Sequence, residues 1–120
     1  MELLERKALV RGYLGQTVRI EIDRPIGYIH EKEKYSLEYK INYGYIPGVL
    51  GGDGEELDVY LLGVDTPVSE YTVKIIGIAH RRNDVEDKLI AAPEGMSFTA
   101  EEMYEQIKFQ EKYYDTYIEA

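Results

Sequence analysis

The sequence predicts a mainly β, α+β domain: a small, highly curved antiparallel sheet or barrel with one amphipathic helix packed on it near the C-terminus. Three observations carry that expectation. Short apolar runs rich in β-branched and aromatic residues are separated by turn signals, a glycine (Gly77) interrupts one of the strongest of them, and the apolar period turns helical only after Thr99. At 120 residues and 44% hydrophobic content, the chain is expected to form one domain spanning residues 1–120 around a single core.

Residues 1–15 mix charges with Leu3, Leu4, Leu9, Val10 and Leu14, which suits either a short helix or an irregular arm. Thr17 to Asp23 alternates Val18, Ile20 and Ile22 with Arg19, Glu21 and Asp23, the period-two pattern of a strand with one buried face. Arg24, Pro25 and Gly27 make a turn from which Tyr28 to Glu31 returns as a hairpin partner. Pro47, Gly48, Gly51, Gly52 and Gly54 mark Tyr45 to Asp53 as a connection, and Leu57 to Gly63 is a buried strand. Val64 to Tyr71 reads as a loop. Thr72 to His80 is a strong strand in which Gly77 marks a bulge or sharp bend, and Lys88 to Ala92 returns after a charged hairpin at Arg81 to Asp87. Thr99 with Glu102 gives a capping-box pattern, and Met103, Ile107, Tyr114 and Ile118 recur at helical spacing, so the helix is expected over residues 99–118.

The chemistry is expected around Tyr39 to Gly63. Asp53, Glu55, Glu56 and Asp58 crowd the mouth of a buried strand, where like charges repel unless a cation neutralises them. Oxygen ligands without cysteine suit a hard ion such as Mg²⁺ or Mn²⁺, while an acidic, solvated turn is the plain alternative. A net charge of −9 excludes a nucleic-acid surface, so an anionic small substrate needs a local positive site or a bound metal. Arg24, Arg81, Arg82 and Lys88 are the available cations, each with a solvated surface role as its alternative. His30 and His80 read as ordinary strand residues that could also donate to a phosphate. Twelve tyrosines fill a small core with their hydroxyls at the rim, and a phenol aimed into a cleft can donate to phosphate oxygens. The absence of cysteine, of a signal-peptide pattern and of any membrane-length apolar stretch leads to the expectation of a soluble, cytoplasmic protein without membrane partners.

Asn42-Tyr43-Gly44-Tyr45 with Tyr39 before it, followed by Asp53-Gly54-Glu55-Glu56-Leu57-Asp58, resembles the core of the soluble family I inorganic pyrophosphatases, N-Y-G-Y and then D-x-D-P-x-D. The preceding Ile20-Glu21-Ile22, the set Glu86, Lys88 and Ala92-Pro93, and a late tyrosine extend the resemblance over most of the chain from Thr17 onward. It implies an OB-like antiparallel β-barrel of about five strands, Mg²⁺ dependence with Mn²⁺ as a substitute, and hydrolysis of pyrophosphate to two phosphates. By position it implies metal ligation by Asp53, Glu55, Asp58 and Glu86, with Glu21 on metal-bound water. Asp58, Asp53, Glu55 and Tyr43 then make up the catalytic group. Arg24, Tyr39, Arg81, Lys88 and Tyr113 or Tyr114 bind substrate oxygens.

The chain also departs from the pattern. Glu55 stands for the middle aspartate, Glu56 for a proline, and Arg81 for a further metal-binding aspartate unless the hairpin shifts Asp84 into that place. The insert after the first strand is reduced to residues 23–30, and no lysine follows the late tyrosine. Arg81 is therefore expected to lower the number of bound Mg²⁺ ions and to contact a phosphate oxygen itself. The runner-up expectation is a pyrophosphatase-like module that binds a nucleotide or other phosphoanhydride with little or no catalysis. Aromatic residues around the last helix, Tyr104 and Phe109 among them, together with the family's homo-oligomers, lead to the expectation of at least a dimer with that helix near the contact.

Overall fold

Five strands wrap into a closed barrel, and what each strand turns outward forms the second half of the molecule. The computed structural model describes residues 3–51, 54–82 and 86–120, with Leu3 and Arg6 as backbone only. In chain order the elements are α1 (Leu3–Arg11), β1 (Thr17–Arg24), β2 (Ile29–Glu31), β3 (Ser36–Glu38), β4 (Asn42–Leu50), β5 (Glu56–Leu61), β6 (Glu70–Arg81), β7 (Asp87–Ala92), α2 (Ala100–Glu111) and β8 (Thr116–Glu119).

The sheet runs β1-β4-β5-β7-β6, and β6 pairs back onto β1 to close it. One edge of the 12-residue β6 serves two partners: residues 70–74 pair with β1, and residues 78–81 pair with β8. Neighbours are antiparallel except β5 and β7, which run parallel because both lie antiparallel to β6 or β4 on either side of them. The bend expected at Gly77 is present as a register shift between Ile75 and Gly77. A Cβ at Gly77 would lie 2.8 Å from Met103 Sδ, so the missing side chain also lets α2 sit down on the sheet.

Period-two alternation sorts side chains into two cores. Ile20, Ile22, Val59, Leu61, Ile75, Ile78 and Leu89 fill the barrel. Tyr39, Tyr43, Tyr60, Ile90, Met103 and Ile107 form a second cluster between the barrel's outer face and α2. All six residues of β7 are buried because it is covered on both faces.

Residues 3–11 resolve the two readings of the N-terminus in favour of a helix. Lys7 donates to Asp87 at 3.1 Å and Arg11 to Glu119 at 3.0 Å, which ties α1 to β7 and β8. His80, also on this side, has Nε2 2.7 Å from Glu119 Oε1 and its ring stacked on Tyr117.

Three expectations require correction. Tyr28 to Glu31 does not return along β1; β2 pairs with β3 as a separate ribbon, because β1 already has β4 and β6 as neighbours. Residues 45–50 are not a loop: β4 continues through Pro47 and Gly48, with a positive φ at Gly48 and a register shift between Tyr45 and Leu50 absorbing them. The last helix does not extend to residue 118. The Thr99 and Glu102 capping box starts α2 as expected, but the helix ends at Glu111, and residues 116–119 form β8. Thr116 Oγ1 donates to Glu111 Oε1 at 2.8 Å, so the helix's own last side chain holds the returning chain.

Candidate functional site

On β5 the alternation that sends Leu57, Val59 and Leu61 into the barrel turns Asp58 and Tyr60 to the outer face. The parallel register pairing Val59 with Leu89 sets Lys88 beside Asp58. β4 brings Tyr43 opposite Tyr60. An irregularity in β1 between Ile22 and Arg24, facing Tyr43, turns Asp23 and Arg24 toward the same place. The end of β6 supplies Arg81, and the end of α2 with the turn after it supplies Gln110 and Tyr114. The result is a polar cleft of about 200 Å³ beside the C-terminal end of α2.

Four cations line this cleft, Arg24, Lys32, Arg81 and Lys88, against the three carboxylates Asp23, Asp58 and Glu86. On a chain of net charge −9 this is a local concentration of cations, balanced by these three carboxylates and by Glu111 behind Arg81. Lys88 Nζ donates to Asp58 Oδ2 at 2.5 Å and to Glu86 Oε1 at 3.0 Å, and lies 5.7 Å from the centre of the Tyr43 ring. Arg81 Nη1 donates to Glu86 Oε2 at 3.2 Å, while its Nε and Nη2 grip both oxygens of Glu111 at 3.0 and 2.7 Å. The Arg81 guanidinium rests on the face of Tyr114, 3.6 Å from the ring centre.

Burial and charge work against each other here. Burial alone would lower the Lys88 ammonium, but the Tyr43 oxygen and the carboxylates of Asp58 and Glu86 raise it well above the ordinary lysine range. Arg81 is also raised, burial being outweighed by its bonds to Glu111. Burial would push the Glu111 carboxyl up; Arg81, Tyr60 and Thr116 hold it below its usual value instead. Burial drives the Tyr43 phenol far up, so it keeps its proton beside Lys88 and is neutral, with an O–H able to donate. The Asp23 carboxyl is raised by burial, with Asp58 and Glu56 adding repulsion.

The cleft gathers Arg24, Tyr43, Asp58, Arg81, Glu86, Lys88 and Tyr114, and leaves out four of the residues expected at the site. Tyr39 is fully buried behind the wall, its hydroxyl taken up by Arg24 and Gln110, because its ring packs among Tyr28, Tyr43 and Phe109. Tyr113 is 50% exposed and stacks on Tyr35, since the turn after α2 directs Tyr114 inward in its place. Glu21 pairs with Arg19 at 2.9 Å and Glu55 is exposed in the turn before β5; neither lines the cleft. Asp53 and Asp84 lie outside the described residues. Among the described residues no group of three or more acidic or histidine side chains is placed to hold a metal ion. Asp58 and Glu86 both accept from Lys88, while Glu21 pairs with Arg19.

Asp23, Lys32, Gln110 and Glu111 belong to the site or its floor and were not anticipated from the sequence. Gln110 and Glu111 did carry a signal: they fall on the same helical face as Met103 and Ile107, so polar residues there had to be buried. His80 stands apart with α1 and β8, while His30 Nδ1 lies 3.3 Å from Arg24 Nη1. The aromatic basis for an assembly contact also changes. Phe109 packs edge-on against Tyr39 and Tyr60 and is part of the second core.

The family model for inorganic pyrophosphatase matches residues 13–119. The chain is 36% identical over 85 residues to an inorganic pyrophosphatase of Sulfolobus acidocaldarius, covering 66% of this chain and 49% of that one. It is 31% identical over 85 residues to an inorganic pyrophosphatase of Aquifex pyrophilus, covering 66% of this chain and 48% of that one. It thus spans about half the length of the curated relatives it matches. Among solved structures, an inorganic pyrophosphatase of Ehrlichia chaffeensis superposes with a TM-score of 0.66 at 17% identity over 88% of this chain and 86% of that one, a likeness of fold. With a barrel of the expected kind, a polar outer cleft and a family match over nearly its whole length, the chain belongs to the inorganic pyrophosphatase family.

Proposed function

We propose that this chain hydrolyses inorganic pyrophosphate to two phosphates in the cleft between β5, β7 and the end of α2. The observation that carries the proposal is the row Asp58, Lys88, Glu86 and Arg81, an acid beside fixed cations in a half-enclosed space. Arg24, Lys32, Arg81 and Lys88 supply charge for the phosphoryl oxygens, and Tyr43 a neutral donor. Asp58 is the acceptor we assign for the proton of the attacking water. As the water oxygen bonds to one phosphorus, the bridging P–O bond breaks and the second phosphate leaves with that electron pair, its charge met by the arginines.

The family generally works with a divalent ion, and Mg²⁺, with Mn²⁺ as its substitute, is the ion we assign. The described carboxylates do not by themselves make its binding set, so no step is drawn through it. We place the protein in the cytoplasm on the basis of its lack of cysteine; among the described residues no helix is long and apolar enough to cross a membrane.

Phosphate release from pyrophosphate, measured with and without Mg²⁺ beside an Asp58→Asn variant, tests the proposal. Metal-dependent release well above the variant's is expected. Release no greater than the variant's overturns it, and tight binding without turnover would replace hydrolysis by recognition alone. Homo-oligomerisation is part of the same proposal. Its support is now the exposed Leu9 and Leu50 beside an apolar groove at α1 and β4, in place of the α2 aromatics. Light scattering at micromolar concentration is expected to give at least a dimer, and a strict monomer refutes it.

A further inference from the structure

Arg24 and Arg81 enter the cleft from different strands, yet behind its wall they are joined by one unbroken line of hydrogen bonds. Arg24 Nη1 donates to the Tyr39 hydroxyl at 2.6 Å. That hydroxyl donates to Gln110 Oε1 at 2.5 Å, and Gln110 Nε2 donates to the Tyr60 hydroxyl at 2.7 Å. Tyr60 then donates to Glu111 Oε2 at 2.5 Å, and Glu111 receives Arg81 on both oxygens.

The direction of every link is forced. A guanidinium only donates, so Tyr39 accepts from Arg24 and must give its own proton onward; Gln110 then presents oxygen to Tyr39 and nitrogen to Tyr60; and Tyr60 hands its proton to a carboxylate that only accepts. Tyr39, Tyr60 and Glu111 are fully buried, and Gln110 and Arg81 are nearly so. An interruption would strand a buried polar group, which gives the line one arrangement and little freedom. Both middle links, Gln110 and Glu111, are neighbours at the end of α2.

We propose that Gln110 and Glu111 are positioning residues, with Tyr39 and Tyr60 as their connectors, that lock Arg24 and Arg81 at a fixed separation, so the cleft selects an anion with two linked phosphoryl groups over a single phosphate. The inference rests on the proposed reading of the cleft as a pyrophosphate site. Glu111 lies behind the wall, and Gln110, though it reaches the cleft lining, has both ends of its amide engaged in the line; each acts through an arginine that meets the substrate. Two cations held apart reward a ligand that bridges them, whereas a lone phosphate needs only one of them.

The test is calorimetric binding, with Mg²⁺ present, of methylenediphosphonate, whose P–C–P bridge resists hydrolysis, and of inorganic phosphate. Tyr39→Phe keeps the ring and removes the hydroxyl, detaching Arg24 from the line; Glu111→Gln removes the anchor of Arg81. Each variant is expected to weaken the diphosphonate by about tenfold, the size of a lost charge-assisted hydrogen bond, and inorganic phosphate by less than about threefold. Added to Arg81→Gln, Glu111→Gln should then have no further effect on diphosphonate binding. A purely structural role would lower the melting temperature and leave the ratio of the two affinities at its original value. That unchanged ratio in a folded Tyr39→Phe protein overturns the proposal even if Glu111→Gln fails to fold. A wild-type chain that prefers the diphosphonate but releases no phosphate from pyrophosphate would sink the hydrolase reading and leave this one standing.

Discussion

A Lys88→Met variant is expected to lose pyrophosphate binding by on the order of a hundredfold or more, the largest effect on function of any single change in the cleft. Lys88 is 5% exposed and serves two carboxylates, Asp58 and Glu86, that are themselves only 27% and 26% exposed. Methionine keeps much of the stem's packing and removes the charge, so the loss reports electrostatics instead of a cavity. Two effects add. The anion loses its central partner, worth about 3 kcal/mol at the effective dielectric of a partly enclosed site, and it then meets Asp58 without its lysine and Glu86 with one cation fewer. Stability should fall less, by about 2 kcal/mol, because water and Arg81 still reach Glu86. Affinity for methylenediphosphonate and urea unfolding measured on the same preparations check both parts. An affinity within threefold of wild type would remove Lys88 from the binding site, whatever happened to stability.

How far the sequence leads to this cleft differs with the range of the interaction. Alternation in residues 17–23 and the apolar run after Asp58 were legible because a strand's burial pattern is written in its own neighbours. The capping box at Thr99 and Glu102 is equally local, and it appears with both reciprocal bonds, Thr99 N to Glu102 at 2.8 Å and Glu102 N to Thr99 at 3.1 Å. The end of α2 was misread because Tyr114 and Ile118 keep helical spacing with Ile107. Only the open edge of β6 beyond β1 and the Thr116 bond to Glu111 make strand the better choice there. Pro47 and Gly48 were misread for the opposite reason: turn-formers sat in a strand whose register is already broken beside them.

The charged residues show the same division. Acids near Asp58 were legible as a cluster, but which of them share a cleft depends on barrel closure. That closure leaves Glu21 with Arg19 and brings Glu86 to Lys88 and Arg81. Arg81 was legible as a departure from the family pattern. Its grip on Glu111, thirty positions along the chain, was not: helical spacing puts Glu111 on the buried face with Met103 and Ile107, but which cation meets it there depends on the sheet beneath.

A Gly44→Ala variant is expected to lose about 4 kcal/mol of stability or more, the largest structural effect of a single methyl group in this chain. A Cβ at Gly44 would lie 1.8 Å from the Glu21 carbonyl oxygen, 2.7 Å from its carbon and 2.9 Å from Ile22 Cα, all of them backbone. No rotamer change relieves such a contact, so β1 and β4 would have to part. β1 cannot simply move away, since its residues 17–21 also pair with β6 and close the barrel. Gly44 sits directly opposite Ile22, immediately before the irregularity that turns Asp23 and Arg24 into the cleft, and it follows Tyr43. Parting the strands would therefore disturb the site as well as the core, and a folded remnant should bind methylenediphosphonate poorly. Gly27→Ala is the control, because Gly27 has φ +91° with nothing within 4 Å of its Cβ and should cost only the roughly 1–2 kcal/mol of a left-handed backbone. Thermal unfolding should place Gly44→Ala about 15 °C or more below wild type and the control well above it. A Gly44→Ala protein melting within a few degrees of wild type would mean that β1 and β4 do not approach as closely as described.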